Sequence, residues 1–276
     1  MKDSKRLALL TAGPVNDMPL ARLAKAVSKI GPVKAPSLGQ ASRTVNALKS
    51  GFAVRSIADM HAYSLYAIWA PPGQVPKLAR ELLDLHRDWT GRTVLLCAET
   101  LDSRDLDMFA RRGADTGSIT VVPVATPAKY LIEGSAEAVG RARTLLETSR
   151  ASVIEIGEQQ KPFYYAAEML CSVVMLPLLE AATCSLRLAG VPLSQARPLV
   201  ESLVRRSLRS HYRSGRKTWR APSSAAARQQ LDRELEALRA ADPRLCRFFE
   251  ESLRAALCFF EESASARPSA SAAAAP

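Results

Sequence analysis

Metal-binding spacing is missing from this chain. It has no C-x-x-C pair, and its three histidines, His61, His86 and His211, lie far apart. Five cysteines, at 97, 171, 184, 246 and 258, are scattered and read as reduced thiols in apolar surroundings. Neither a zinc site nor a disulfide framework is expected. The G-x-S-x-G elbow and the G-x-x-x-x-G-K-[ST] phosphate loop are absent too, so those hydrolase and nucleotidase motifs are excluded. Long apolar runs are scarce: residues 169–179 are the most hydrophobic stretch, bounded by Glu168 and Glu180 and too short to span a bilayer. The opening MKDSKR lacks the apolar run of a signal peptide. A cytosolic protein with no membrane segment is the expectation. Acid is also in short supply, with 27 acidic residues against 38 basic ones and a net charge of +11. Such a balance suits an anionic partner: a phosphorylated cofactor, a nucleic acid or a charged surface.

What the chain does have is material for a core, 47% hydrophobic residues in a length of 276 that suits one large or two modest domains. The organising stretch is residues 6–31. A short apolar run at residues 7–10 leads into Thr11-Ala12-Gly13-Pro14, and then Leu20, Leu23, Ala24 and Val27 recur on one helix face. Strand, glycine turn and helix open a dinucleotide-binding domain, where the helix N-terminus receives the pyrophosphate. Laid over G-x-G-x-x-G, the glycine positions fall on Thr11, Gly13 and Asn16, so only the middle glycine is kept. That is the one that lets the backbone approach the phosphates. An ordinary strand-to-helix turn fits this stretch about as well.

The following segments alternate. Strands are expected at residues 33–37, 63–70, 93–97 and 118–124, with helices at 41–49, 75–85 and 102–112. The alternation implies a parallel sheet covered on both faces. The end of the second strand chooses the cofactor: an acid there binds the ribose 2′-hydroxyl of NAD, and small or basic residues admit the phosphate of NADP. Ser37 and Arg43 stand there without an acid, which favours NADP, although Arg43 also fits a solvated helix face. Glu99 and Asp102 form a possible acid–base pair, but Asp102-Ser103 reads more simply as a helix cap.

A run of short motifs in fixed order then carries a resemblance. The motifs are Ala12-Gly13-Pro14-Val15, Ile68-Trp69-Ala70-Pro71-Pro72, Leu95-Leu96-Cys97-Ala98-Glu99 and Leu101-Asp102-Ser103. They continue with Gly113-Ala114 to Gly117-Ser118, Ile132-Glu133-Gly134 and Lys161-Pro162-Phe163-Tyr164-Tyr165-Ala166-Ala167. Over residues 6–260 the chain resembles the bacterial Rossmann-like oxidoreductases with a C-terminal domain of unknown function 2520. That family is related in architecture to pyrroline-5-carboxylate reductase and the 6-phosphogluconate dehydrogenases. Departures fall at polar positions. The family's His-Cys-Ser-Gly is Leu96-Cys97-Ala98-Glu99 here, its Ser-Leu-His-Pro is Ser118-Ile119-Thr120-Val121, and its tyrosine–histidine pair is Tyr164-Tyr165. Its Ser-Asn is Ser172-Val173, and its Gly-Pro with Arg-Gly-Asp is replaced around Ala221-Pro222 by Ser223-Ser224 and alanines.

The resemblance implies a doubly wound, mostly parallel sheet over residues 1–158, then a helical domain over 159–262 that serves as a dimer contact. It implies an NADP-dependent oxidoreductase acting on a small carbonyl or imine. Thr11, Gly13, Pro14, Val15 and Asn16 would cradle the pyrophosphate, with Ser37 and Arg43 near the 2′-phosphate. The nicotinamide would lie by Pro71, Cys97 and the start of the Lys161 helix, where Lys161 is a candidate proton donor or substrate anchor. A solvated lysine at a domain junction is the plain alternative. The lost polar residues support a second reading, a non-catalytic ligand-sensing or structural dimer.

Past residue 158 the apolar pattern of residues 161–189 reads as one long buried helix kinked at Pro177. Further helices are expected at residues 198–212, 224–241 and 244–262. Between 201 and 220 there are seven basic residues and one acid, with Tyr212 and Trp219 as possible stacking groups. Nucleic-acid binding through this segment is the third reading. The Ala/Ser/Pro tail at 263–276 carries too little apolar surface to fold.

Overall fold

The computed structural model describes residues 6–12, 30–98, 100–122, 129–146, 152–219, 221–222 and 224–265. The glycine turn with Gly13, Pro14, Val15 and Asn16, the helix expected over 20–27, Glu99 and residues 266–276 of the Ala/Ser/Pro tail lie outside those residues, whereas 263–265, expected as unfolded tail, continue the last helix. Two compact units divide the chain, Met1–Ala167 and Glu168–Pro276.

The first unit is built on an eight-stranded sheet. Its strands are β1 (Leu7–Thr11), β2 (Ile30–Lys34), β3 (Phe52–Ala53), β4 (Leu65–Trp69), β5 (Thr93–Leu96), β6 (Asp115–Val122), β7 (Lys129–Gly134) and β8 (Ser152–Glu155). They lie in the order β3-β2-β1-β4-β5-β6-β7-β8. Every pairing is parallel except β6 with β7. β1 has β2 on one side and β4 on the other, so chain order reverses between β1 and β4. In open α/β sheets a ligand crevice forms outside the carboxyl ends of the strands at such a switch point.

Central strands of this kind are buried on both faces, which is why their sequences are continuously apolar. One face carries Leu7, Leu9, Ala67, Trp69, Leu95 and Cys97, packed with residues of α1 (Leu38–Leu48) and α4 (Ala136–Leu146). The other carries Ala8, Leu10, Tyr66, Ile68, Val94 and Leu96, packed with α2 (Val75–Leu83) and with Phe109 of the short α3 (Asp107–Ala110). Where β6 meets β7, Gly117 pairs with Gly134. A Cβ on Gly134, whose φ is +136°, would come within 2.3 Å of the Thr116 carbonyl, so this close crossing requires glycine.

The helices run on through α5 (Lys161–Cys171), α6 (Met175–Leu188), α7 (Leu193–Ser214), α8 (Ala225–Ala241) and α9 (Pro243–Ser265). In the second unit α8 packs on α9 and α6 on α7. Trp219 stacks on Phe260 of α9 with centroids 4.6 Å apart and planes 5° from parallel, and the Arg216 guanidinium lies 5.1 Å from the Phe260 centroid. Trp219, read from sequence as a possible base-stacking residue, therefore spends one ring face on Phe260. Tyr212 remains 83% exposed.

Several expected elements shift. The second strand ends at Lys34 rather than Ser37, because Ser37 is the N-cap of α1 and its hydroxyl accepts from the Gln40 N–H at 3.2 Å. Residues 102–112 form a 3₁₀ turn and the single-turn α3 rather than one helix. Asp102 caps that turn: its carboxyl accepts from Arg104 N–H, and Asp105 answers on the Asp102 N–H. The stretch expected as one long buried helix at residues 161–189 is two helices, and most of its residues are exposed. The break falls at residues 172–174. Pro177 has no N–H for the Val173 carbonyl, and its ring crowds that carbonyl, so the helix restarts with Pro177 in its first turn. Taken together, Lys161–Leu188 is long and apolar enough to cross a membrane by length and composition, a longer apolar stretch than the 11 residues picked out in the sequence. Pro198 lies inside α7 rather than at its start.

Candidate functional site

The carboxyl ends of β1, β2, β4 and β5 form one edge of the sheet. At β1, Thr11 is 1% exposed and pairs with Trp69, and the Ala12 N–H donates to the Trp69 carbonyl at 3.1 Å. The Thr11 hydroxyl has no hydrogen-bond partner among the described residues. A buried hydroxyl left alone costs about 1–3 kcal/mol.

At the end of β2, Lys34 Nζ donates to the Ala35 carbonyl at 2.7 Å and lies 3.9 Å from a Glu81 carboxyl oxygen. Pro36 and Ser37 follow, exposed, and α1 begins at Leu38. A Cβ on Gly39, in the first turn of that helix, would meet nothing within 4 Å, so the surface there is open. Arg43 lies on the exposed side of α1. β4 ends in Trp69 and Ala70, both buried, and Pro71 is extended and exposed. β5 ends in Leu96 and Cys97, whose N–H donates to Ile68 at 2.8 Å. Cys97 is 8% exposed, and burial pushes its thiol pKa up to about 12, so it is a protonated core thiol.

Lys161 is the surprise of this edge. It is 0% exposed, where a solvated junction lysine had been one expectation. Its Nζ donates to the carbonyls of Ala98 at 3.1 Å and Leu101 at 2.6 Å, and sits 5.7 Å from the centroid of the Tyr165 ring. Burial pulls its pKa down to about 8, against the opposing pull of Glu133, the largest of the nearby acidic groups.

Glu133, the residue before the last of β7, is 1% exposed. One carboxyl oxygen accepts from the Ser103 N–H at 2.9 Å and from the Ser118 hydroxyl; the other accepts from the Ser103 hydroxyl at 2.7 Å and the Gln159 N–H at 3.2 Å. In the sequence Glu133 stands only within the motif Ile132-Glu133-Gly134. Its signal was an acid inside the apolar strand Tyr130-Leu131-Ile132, on the strand next to Ser118. Gln159 has φ +61°, a left-handed conformation that costs a residue with a Cβ roughly 1–3 kcal/mol. The Thr120 hydroxyl donates to the Ala98 carbonyl at 3.2 Å and lies 3.4 Å from the half-buried Tyr165 hydroxyl. Asp102 is held below the usual carboxyl range by its hydrogen bonds to Arg104.

The structure therefore brings Cys97 and Lys161 to the same strand end and places Thr11, Ser37 and Pro71 along the same edge. Residues 13–16 lie outside the described residues. The residues present fit a dinucleotide. The switch-point hydroxyl has no partner among the described residues, the surface at Gly39 is open, and the segment that ends β2, Lys34-Ala35-Pro36-Ser37, contains no acid.

Comparison with other proteins agrees with this architecture. Residues 128–246 match the model of the family described as a domain of unknown function, DUF2520. The match covers the segment from β7 into the last helix, and the chain as a whole shares a Rossmann-like fold. The DUF2520 match begins just before β7, so it takes in Glu133 and Lys161 as well as the helices that follow. Among solved structures, a proposed NADP oxidoreductase from Bacteroides fragilis aligns with TM-score 0.69 at 15% identity, over 92% of this chain and 97% of that one. An imine reductase from Bacillus cereus aligns with TM-score 0.65 at 14% identity, over 91% and 93%. A reductive aminase from Aspergillus terreus, in complex with NADPH and ethyl levulinate, aligns with TM-score 0.60 at 15% identity, again over 91% and 93%. Identities this low speak for the fold. No curated protein matches this chain in sequence.

Proposed function

We propose that the protein is an NADP-dependent reductase of small carbonyl or imine compounds. One observation carries this reading: the β1/β4 switch point has a buried Thr11 hydroxyl with no partner among the described residues, and the segment that ends the neighbouring β2 contains no acid. Three of its structural neighbours bear names that point the same way, a proposed NADP oxidoreductase, an imine reductase and a reductive aminase.

In this reading Thr11 and the turn through Gly13, Pro14, Val15 and Asn16 hold the pyrophosphate. Ser37 and Arg43 attend the 2′-phosphate, and Pro71 and Cys97 flank the nicotinamide. The bound nicotinamide supplies hydride to the carbon of a C=O or C=N bond. The oxygen or nitrogen of that bond then needs a proton. Two of the N–H groups of Lys161 are already given to carbonyls, whereas Tyr165 brings a half-buried phenol to the same strand end. Tyr165 donates the proton in this scheme, and Lys161 supports the loop beside it. A panel of cyclic imines, and of ketones with and without amine, followed by NADPH absorbance, tests it. Turnover with at least one member, reduced about 100-fold or more in Tyr165→Phe, is the expected result. No turnover across the panel by protein that binds NADPH favours the non-catalytic, ligand-sensing reading.

We further propose that the working form is a cytosolic homodimer joined through α5 and α6. Phe163, Leu170 and Leu176 are 71%, 62% and 61% exposed, with Met169 and Val173 above half. Apolar patches on this scale mark an interface, and a second copy is the occupant that the DUF2520 resemblance implies.

A further inference from the structure

Two buried groups of opposite charge grip one loop from its two ends. Lys161 takes the backbone after β5 at the carbonyls of Ala98 and Leu101. Glu133 takes it at the N–H and hydroxyl of Ser103. Glu133 also binds the hydroxyl of Ser118 on β6 and the N–H of Gln159, two residues before Lys161. The loop, the sheet and the entry to α5 are thus tied through two side chains.

Neither group is placed to meet a ligand, since Lys161 is 0% and Glu133 1% exposed. Burying them is costly, and apolar side chains of similar volume would fill the space at lower cost. What apolar packing lacks is direction. A carboxyl group with four donors and an ammonium aimed at two carbonyls fix the backbone atoms they bind in position and in orientation. The Ala98 carbonyl, held by Lys161, also accepts from Thr120, which lies beside the Tyr165 hydroxyl.

We propose that Glu133 and Lys161 are positioning residues: together they anchor the Ala98–Leu101–Ser103 backbone to the start of α5. The anchored backbone shapes the end of β5 that receives the nicotinamide half of the dinucleotide. This role rests on reading the edge as a dinucleotide site. The anchor itself does not. The ends of β1 and β2, which receive the adenosine half, lie outside its reach.

The test uses the full chain and the variants Lys161→Met, Lys161→Arg and Glu133→Gln, with far-UV circular dichroism confirming the fold. Peptide mass spectrometry follows alkylation of Cys97, which is buried at the end of β5, against Cys171, which is exposed, in the same sample. Lys161→Met and Glu133→Gln are expected to speed Cys97 alkylation at least tenfold and leave Cys171 unchanged, with Lys161→Arg between them and wild type. Calorimetry is expected to show NADPH bound at least fivefold more weakly by the first two variants, with 2′,5′-ADP bound as in wild type. Cys97 rates equal to wild type in both variants overturn the anchor. Equal weakening of NADPH and 2′,5′-ADP overturns the positioning role, because a general loosening of the unit weakens both. A wild-type protein that binds neither nucleotide removes the dinucleotide reading and the positioning role with it, and the alkylation rates still decide whether the anchor exists. A variant that loses its circular dichroism is replaced by Ser103→Ala, which removes one bond to Glu133 and is expected to speed Cys97 alkylation by a smaller factor; no change there counts against the anchor.

Discussion

Lys161 Nζ donates to the carbonyl of Leu101 across 2.6 Å, reaching 60 residues back along the chain. Glu133 reaches back 30 residues to Ser103, in the same loop. Long-range polar bonds of this kind, made by fully buried side chains, make the edge of the sheet sensitive to single substitutions. Glu133→Ala leaves the buried N–H of Ser103 without its acceptor, at about 1–3 kcal/mol, and the buried hydroxyls of Ser103 and Ser118 lose theirs as well. Urea unfolding of the variant is expected to show a loss of roughly 3 kcal/mol. A loss below about 0.5 kcal/mol contradicts the burial of this cluster.

Ser37 offers a separable test of cofactor choice. Aspartate is as good an N-cap as serine, so Ser37→Asp keeps α1 capped and adds one negative charge beside the end of β2. NADPH binding is expected to weaken about tenfold, equivalent to ~1.4 kcal/mol, while NADH binding holds or improves. Parallel titrations of the two nucleotides read the result, and unchanged NADPH affinity removes Ser37 from the 2′-phosphate site.

At the opposite end of β4, His86 is 6% exposed, and its Nε2 lies 2.9 Å from the Tyr66 hydroxyl. The Tyr66 hydroxyl also lies 2.6 Å from the Tyr63 carbonyl and 3.1 Å from the Met60 carbonyl, both of which accept from it. Burial, with Arg92 and His61 adding to it, pushes the His86 pKa down to about 4 from the usual 6.5. The unfolded chain therefore binds a proton that the fold refuses between those values. Stability is complete above about pH 6.5 and falls as the pH drops toward 4. Denaturant midpoints measured from pH 7 to 4 are expected to fall less steeply in His86→Gln than in wild type, and identical slopes would exclude this imidazole as a source of acid sensitivity.

The exposed apolar face of α5 and α6 predicts association. Sedimentation of the full chain at micromolar concentration is expected to give a dimer, and Leu170→Glu with Leu176→Glu to give a folded monomer. Wild-type protein that stays monomeric and floats with lipid vesicles would instead assign the face to a membrane.

Most of the sheet was legible because buried parallel strands are written as apolar runs, as in Thr93–Leu96 and Leu65–Trp69. Residues 129–155 were not read as two strands and a helix. β7 combines an acid with apolar neighbours, and β8 is mostly exposed, so neither shows a clean period. The apolar content of residues 161–189 was plain, but hydrophobicity alone does not say whether a helix is buried within its own chain. Lys161 stood out only by its place in a motif. Its burial and its bonds to Ala98 and Leu101 are tertiary facts without a local signature, and Glu133 was hidden for the same reason.

Calorimetric titration of wild-type protein with NADPH and then NADH tests the central claim most directly. The account predicts micromolar binding of NADPH, at least tenfold weaker binding of NADH, and loss of both in Gly13→Asp, where a charge stands in the pyrophosphate turn. Folded protein that gives no heat with either nucleotide contradicts it.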